Sequence, residues 1–161
     1  MKRRRPMRQV SERRQAVREQ EAVVVPACME RDRYCCFRCG TSRGKLDCHH
    51  RLGGGLGPDT MENRVMLHGF GNNLRDADGN VLCHGYVHTE SDDAQANGWV
   101  ISRHDPRPPQ QVPVRHWKLG MVFLSASGRV VPEGDVVAWT IDGIEPLTEG
   151  DLEQLSERED P

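Results

Sequence analysis

Cysteine and histidine residues are concentrated between residues 36 and 88 of this chain, in three short groups. The groups are Cys36-x-x-Cys39, Cys48-His49-His50 and Cys83-His84-x-x-x-His88. Thiolates and imidazoles are common ligands of zinc, and pairs at such short spacings can face a single ion. A chain that brings these groups together has little freedom in how its intervening segments fold. This pattern therefore constrains the fold more than any other feature.

The first group has the spacing of a zinc-binding turn. Two intervening residues let the thiolates of Cys36 and Cys39 face one ion, and Gly40 relieves the tight backbone after them. A C-x-x-C pair can also be a redox centre, but that motif opens a helix after an apolar strand, and no such strand is visible here. The basic residues 1–5 precede no apolar signal-peptide segment, which favours a reducing compartment and free thiols. We expect Cys28 to be a small buried residue.

The histidines have the spacings of ligands on a strand and on a helix. Adjacent side chains of a strand point to opposite faces, so one of His49 and His50 can bind a metal while the other faces a water molecule. His84 and His88 lie one helical turn apart and can present two imidazoles to one ion. The glycine-rich stretch at 53–57 lacks the Lys-Ser/Thr of a phosphate-binding loop, and we interpret it as a flexible connection.

Charge is distributed unevenly along the 161 residues. Residues 1–50 carry thirteen Lys/Arg against six Asp/Glu, and residues 133–161 carry one against ten. A basic segment suits a phosphate backbone, although a solvated arm has the same composition. No segment approaches the roughly 20 apolar residues of a membrane span. We expect a basic arm or helix at 1–25, a metal-binding core at 26–104, a linker with a β-hairpin at 105–144 and an acidic tail at 145–161.

Local signals predict a mixture of helices and strands. A helix follows a possible N-cap at Ser11, and a second, short helix with Pro26 in its first turn ends near Arg31. One helix is predicted from Cys83 to Asn97, with Gly98 as its stop. Further predictions are strands at 45–50 and 64–67, a short strand at 99–102, an extended linker at 106–113, a hairpin at 116–132 that turns at Gly128, and a strand at 136–141.

Taken in order, these residues resemble the HNH endonucleases, an α+β family whose ββα-metal (His-Me finger) fold clasps one ion between two strands and a helix. The resemblance covers about residues 31–117 and implies hydrolysis of DNA phosphodiester bonds. It implies that His50 is the general base and that Asn63 braces the loop between the strands. It also implies that His49 and His84 bind a catalytic divalent ion (Mg, Mn, Ni or Zn), with His88 as the third ligand of some members.

Many members of this family also carry a structural zinc held by two C-x-x-C pairs, the last Cys standing directly before the final His. Cys36, Cys39 and Cys83 match three of these positions, and His68 stands where the fourth Cys would be. The resemblance therefore implies a Cys-Cys-His-Cys zinc site, with residues 69–82 looping out. If His68 does not bind the ion, Cys35 or Cys48 would replace it.

The expected partner is DNA. Arg38, Arg43, Arg51 and Arg64 lie near the proposed centre in sequence, where each could clamp a phosphate or be a plain surface charge. Small phage-encoded members sit beside genome-packaging genes, so the resemblance implies weakly specific cleavage or nicking with the terminase, in the cytoplasm of an infected host cell. The alternatives are a zinc-stapled DNA- or protein-binding module with a vestigial catalytic site, and a packaging accessory that acts through its acidic tail.

Overall fold

A long helix, α1 (Glu12–Arg31), begins the part of the chain described by the computed structural model, which covers residues 12–53, 57–71, 73–133, 138–139 and 146–147. The prediction of two helices separated before Pro26 is wrong, because Pro26 lies inside α1. Proline removes the amide that would bond to the carbonyl of Ala22. Both residues are exposed, so water can satisfy that carbonyl. The predicted N-cap Ser11 lies outside the described residues.

Polar contacts dock the end of α1 onto the rest of the chain. The Arg31 side chain donates to the carbonyls of Met61 (2.5 Å) and Arg64 (2.6 Å) and pairs with Asp32 (2.6 Å). Asp32 in turn accepts a hydrogen bond from the backbone N–H of Met66 (2.8 Å). Since the apolar residues of α1 are not gathered on one face of the helix, these buried charge-assisted bonds define where its C-terminal end lies.

An antiparallel hairpin carries four of the predicted site residues, His49, His50, Arg64 and His68. It consists of β1 (Leu46–His50) and β2 (Arg64–His68), in a register that pairs Leu46 with His68 and His50 with Arg64. A short 3-10 helix, Met61–Asn63, leads into β2. Alternation along β1 places Asp47 and His49 on one face and Cys48 and His50 on the other.

Two helices follow the hairpin where one was predicted. They are α2 (Cys83–Thr89) and α3 (Ser91–Ala96), and the helical geometry breaks at Glu90 (φ −96°, ψ 67°). The hydroxyl of Thr89 donates to the carbonyl of Gly85 (3.0 Å), a contact that bends helices. The break lets Ala94 turn into the core, where it is fully buried. Gly98 ends this region with a positive φ of +67°.

The strand predicted at 99–102 is wrong. This segment is irregular, and its residues Trp99 and Ile101 are buried. The backbone N–H of Ile101 donates to the carbonyl of Arg51 (2.7 Å). The linker predicted at 106–113 contains a 3-10 helix, Pro109–Gln111, whose Pro109 is buried. Both segments are held by tertiary contacts that local sequence patterns do not encode.

Three strands form a second sheet, with β4 in the middle: β3 (Val114–His116), β4 (Gly120–Leu124) and β5 (Val130–Pro132). It contains the predicted hairpin, and Gly128 lies in the turn with φ +82°. Two short strands, β6 (Ala138–Trp139) and β7 (Pro146–Leu147), pair further along. The second of them lies within the predicted acidic tail. The other residues of the tail lie outside the described part.

Within the described residues, a hydrophobic core joins the hairpin, α2, α3 and the second sheet, and the fold is mixed α+β. It contains residues from the Cys36 turn, β2, α2, α3, β3 and β4, among them Phe37, Leu67, Val87, Val114 and Leu124. The second sheet therefore shares its core with the hairpin, across the predicted boundary at 104. The division of the chain into four parts stays a prediction. Within the described ranges, no helix is long and apolar enough to cross a membrane.

Candidate metal centres

One cluster of possible metal ligands is formed by Cys36, Cys39, His68 and Cys83. Their ligand atoms all lie within 4.8 Å of one another, so they could hold a metal ion such as zinc. The turn after α1 supplies two of them, the end of β2 the third, and the start of α2 the fourth. Gly40, with φ +75°, closes the turn and accepts no Cβ, because the ring of Trp117 covers it. Three thiolates and one imidazole are a usual ligand set of structural zinc.

The side chains of this cluster interact through hydrogen bonds. The thiols of Cys36 and Cys83 donate to the sulfur of Cys39 and lower its pKa to about 2. Sharing with Cys39 raises the pKa of Cys36, and sharing with Cys36 and Cys39 raises that of Cys83. His68 donates through Nε2 to the carbonyl of Val81 (3.1 Å), which leaves Nδ1 facing the Cys39 sulfur at 3.3 Å.

Arg38 lies against this cluster rather than on an open surface. Its guanidinium donates to the Cys83 sulfur (3.3 Å) and stacks over the ring of Tyr86 at 3.8 Å. The phosphate contact predicted for Arg38 stays a prediction, and the structure shows its guanidinium engaged within the protein. A positive charge beside Cys83 favours the thiolate, the form that binds zinc. The residue belongs to the surroundings of the candidate zinc site.

A second cluster consists of three imidazoles, from His49 on β1 and from His84 and His88 on α2. Their ligand atoms lie within 4.8 Å of one another, and the ring centroids are 5.1–5.2 Å apart. His49 is buried at 3% exposure, whereas His88 lies at the open side of the cluster. Burial, with contributions from His84 and His88, lowers the pKa of His49 to about 3. His49 is therefore neutral near pH 7, and its lone pair is free for a ligand bond.

Hydrogen bonds orient two of these imidazoles. His49 Nε2 lies 3.0 Å from the carbonyl of Trp99, and His84 Nδ1 lies 3.2 Å from Oδ2 of Asp47. Because an acceptor holds one nitrogen of each ring as a donor, Nδ1 of His49 and Nε2 of His84 keep their lone pairs. Such partners of metal-binding histidines define the tautomer and the ring orientation.

Asp47 was not among the predicted site residues. Burial disfavours its charged form, but hydrogen bonds from the Gly71 N–H (2.8 Å) and from His84 outweigh that effect and lower its pKa. The sequence did carry a signal, since residues two apart on a strand share a face and Asp47 stands two before His49. The role of the Trp99 carbonyl left no sequence signal, because any residue type supplies a carbonyl.

His50 lies on the opposite face of β1, where a carboxylate holds it. Its Nε2 lies 2.5 Å from Oδ1 of Asp59, and Arg64 Nη2 reaches the same oxygen at 2.5 Å. Burial opposes the charge of Asp59, but bonds from His50 and Arg64 dominate and lower its pKa. The His50 side chain remains 34% exposed. Asp59 follows the glycine-rich stretch, where no periodicity identifies a partner, so the sequence could not have revealed this contact.

Asn63 is fully buried and connects both ends of the glycine-rich stretch. Its Oδ1 accepts from the N–H of Leu52 (2.8 Å), and its Nδ2 donates to the carbonyls of Leu52 (3.2 Å) and Pro58 (2.9 Å). These bonds hold the end of β1 close to the segment that carries Asp59. Asn63 thereby supports the position of His50, as a bracing residue would.

Two of the four predicted DNA contacts, Arg51 and Arg64, are buried. Arg51 is fully buried and its guanidinium donates to five backbone carbonyls. Arg64 has a side-chain exposure of 2% and pairs with Asp59 and Glu21. Neither guanidinium is free to clamp a phosphate, because buried polar groups keep the hydrogen bonds that compensate their burial. Arg43 is exposed and stays a candidate contact.

The two alternative zinc ligands lie outside the first cluster. The Cys48 sulfur accepts a hydrogen bond from Arg64 (3.5 Å), and the Cys35 thiol donates to the carbonyl of Arg33 (3.3 Å). Cys28 is fully buried and contacts Met61, as expected of a small core residue.

Comparisons of the chain with protein-family models, with curated proteins and with solved structures find no match. The two clusters and the residues around them must therefore carry any functional assignment. The first cluster is rich in thiolates, like a structural zinc site. The second cluster consists of imidazoles and is open on one side. Next to its His49 in the chain, His50 is held by the carboxylate of Asp59.

Proposed function

We propose that the protein is a metal-dependent DNA endonuclease of the HNH type. The observation that carries the proposal is the juxtaposition on β1 of His49, in a three-imidazole cluster, and His50, held by Asp59. A divalent ion held by His49, His84 and His88 would act as a Lewis acid that stabilises charge on the scissile phosphate. The pairing of hairpin β1–β2 with helix α2 around the imidazoles supports a ββα-metal arrangement.

His50 acts as the general base in this proposal. Asp59 accepts a hydrogen bond from Nε2, so Nδ1 is the atom that takes the proton from the attacking water. The carboxylate also stabilises the imidazolium that forms, because it lies 2.5 Å from Nε2. Arg64 keeps Asp59 in its charged form, and Asn63 holds the loop on which Asp59 lies. His50 thus has a defined orientation and a proton acceptor that points away from its partner.

The ligand chemistry suggests which ions support activity. Imidazole nitrogen suits Mn, Ni, Co and Zn, whereas Mg prefers oxygen ligands. We therefore expect more cleavage with Mn or Ni than with Mg in vitro. Action together with a phage terminase belongs to the same proposal and rests on the sequence resemblance alone.

Replacing the base tests the proposal directly. We expect the His50→Ala variant to nick supercoiled plasmid at least about 100-fold more slowly than the wild type, which is the usual contribution of a positioned base. Nicking is followed on agarose gels with Mg, Mn and Ni. His104→Ala is the matched control, since His104 is an exposed histidine outside both clusters, and its activity should equal that of the wild type.

Equal activity of His50→Ala and the wild type would remove His50 from the mechanism. Absence of cleavage by the wild type with every metal, together with retained DNA binding, would instead favour the zinc-stapled binding module. The two results are distinct, because only the first leaves an active nuclease.

A change at Asp59 tests the orientation of His50 separately. We expect Asp59→Asn to lower the turnover rate about 10- to 100-fold while changing KM little, because the variant loses the charged partner that orients the imidazole. Rates over a range of plasmid concentrations give both parameters. Asp105→Asn is the control, since Asp105 pairs with Arg107 away from both clusters. A larger KM with an unchanged turnover rate would contradict the orienting role.

A further inference from the structure

The exposed ring of Trp117 is fixed on the turn that carries two candidate zinc ligands. Its backbone N–H donates to the carbonyl of Phe37 (3.0 Å). A Cβ placed on Gly40 would lie 2.5 Å from Cδ2 of the indole, a carbon bonded to three ring atoms that can be approached only from a face of the ring. Trp117 is nevertheless 49% exposed. The ring is therefore supported on one face by Gly40 and open to solvent on the other.

The backbone that follows Trp117 is also held in place. Nδ1 of His116 accepts hydrogen bonds from the N–H groups of Lys118 and Leu119 (both 3.2 Å). The His116 ring packs edge-on against Phe37, a buried core residue, with the ring centroids 4.7 Å apart. The indole and the backbone of Lys118 thus have defined positions before any ligand arrives, which lowers the entropic cost of binding.

Two clefts of about 480 and 440 Å³ meet at Trp117, and both carry positive charge. Among the described residues, Asp32 is the only acid that lines them, and its side chain is 1% exposed and paired with Arg31 (2.6 Å). The basic residues that line them are Arg31, Arg33, Arg38, Arg115 and Lys118. Five positive charges against one negative charge give these clefts a net charge of +4.

Three of these cations, Arg33, Arg115 and Lys118, are exposed and form what we call the cationic rim of Trp117. Within the described ranges, no ion pair involves any of the three. Arg38 differs, because its guanidinium already has partners inside the protein. The cationic rim can therefore receive a polyanion without first breaking an ion pair.

We propose that the surface around Trp117 binds single-stranded DNA, with a base stacked on the open face of the indole and the neighbouring phosphates on the cationic rim. An aromatic face among exposed cations is the arrangement that binds single strands without sequence preference. In an intact duplex the faces of the bases are stacked and hidden, so the open indole selects unpaired nucleotides. The choice of DNA rests on the proposed function. None of these side chains is a candidate metal ligand, so the surface is a binding site in addition to the nuclease centre.

Equilibrium binding tests the stacking contact. Fluorescence anisotropy is measured with a labelled oligothymidylate of about 20 nucleotides, long enough for several contacts. All proteins carry His50→Ala, so that no cleavage interferes, and no divalent ion beyond structural zinc is added. We expect Trp117→Leu to weaken binding about fivefold or more, since stacking contributes roughly 1–3 kcal/mol per base. Trp117→Phe should bind more tightly than Trp117→Leu, because a phenyl ring still stacks.

Phe70 provides a matched control. Its ring is as exposed as that of Trp117 (49%), but the neighbouring Lys45 is paired with Asp47 (3.5 Å). We expect Phe70→Leu to change the affinity less than about twofold, as surface substitutions usually do. Melting temperature and zinc content are measured for every variant, so that a loss of binding is not confused with a loss of folding.

Salt dependence tests the phosphate contacts. Lys118→Gln should reduce the slope of log affinity against log salt concentration by about 0.7, the value for one phosphate on a single strand. Lys45→Gln, at an exposed lysine outside the two clefts, is the control and should leave the slope unchanged. Lys118→Gln alters only an exposed side chain, so this test holds even if Trp117→Leu does not fold.

Four results would overturn the inference. They are no measurable binding, a loss of affinity in Trp117→Leu no larger than in Phe70→Leu, an unchanged salt slope in Lys118→Gln, and tighter binding of an intact duplex of the same length. Unlabelled oligothymidylate should also displace the labelled strand better than polyglutamate of equal charge does. Equal displacement would contradict the stacking contact, because it would show that charge alone holds the strand.

Failure of the proposed function is distinguishable from these results. Plasmid nicking that depends on His50, together with binding that ignores Trp117, removes only the stacking site. Binding that depends on Trp117 without cleavage by the wild type keeps the site and removes the nuclease.

Discussion

Replacement of Cys36 by serine is expected to release zinc and to unfold the protein at room temperature. The cluster of Cys36, Cys39, His68 and Cys83 joins the turn after α1, the end of β2 and the start of α2. Cys36 and Cys83 are also buried members of the hydrophobic core. Binding of structural zinc contributes about 10–16 kcal/mol in small zinc-dependent domains. That amount matches or exceeds the roughly 5–15 kcal/mol by which folded proteins are stable.

The neighbouring cysteine provides a closely matched control. Cys35 lies one residue away, and its thiol contacts only a backbone carbonyl among the bonds described above. We expect Cys35→Ser to keep one zinc per chain and an unchanged melting temperature, and Cys36→Ser to lose both the zinc and the cooperative transition. Elemental analysis and circular dichroism measure these quantities. A folded Cys36→Ser protein that retains zinc would contradict the assignment, and zinc retained in His68→Ala would remove His68 from the ligand set.

The second large effect is expected at Arg51, in a protein that still carries its zinc. The buried guanidinium donates to the carbonyls of five residues, which are Glu62, Gly98, Pro109, Val112 and Pro113. Burial, with a smaller contribution from Arg31, lowers the pKa of Arg51 to about 9, which leaves it charged near neutrality. One side chain thus connects the end of α3, the 3-10 helix before β2 and the segment before β3.

We expect Arg51→Met to lower the free energy of unfolding by about 4 kcal/mol or more, because each buried acceptor left without a donor costs about 1–3 kcal/mol. Arg51→Lys should recover only part of the lost free energy of unfolding, since an ammonium cannot reproduce the planar set of donors. Urea denaturation in the presence of zinc measures both variants. Arg103→Met, at an exposed arginine, is the control and should stay within about 0.5 kcal/mol of the wild type. A loss below about 1 kcal/mol in Arg51→Met would show that other donors satisfy these carbonyls.

Local sequence patterns predicted the elements whose causes are local. The strands predicted at 45–50 and 64–67 form the hairpin of β1 and β2, and Gly128 predicted a turn that the structure shows. The errors fall where tertiary contacts overrule local preference. Pro26 remains inside α1 because its face of the helix is exposed, and the segment from Trp99 is irregular although its residues favour a strand. In the segment from Trp99 the backbone follows a hydrogen-bond partner elsewhere in the fold, because the N–H of Ile101 donates to the carbonyl of Arg51.

The sequence by itself identified the short groups that can bind a metal ion, because C-x-x-C, His-x-x-x-His and adjacent His residues have short-range spacings that backbone geometry converts directly into position. How the groups combine was implied by the resemblance to the HNH endonucleases. Only the tertiary structure decided how those residues are held. Asp47 orients His84, Asp59 orients His50, and the carbonyl of Trp99 orients His49. Arg51, which in the sequence has the character of a surface cation beside the site, is buried and donates to five carbonyls. The physical reason is that hydrogen bonds across long sequence separations depend on packing, and packing leaves no periodic signature in the chain.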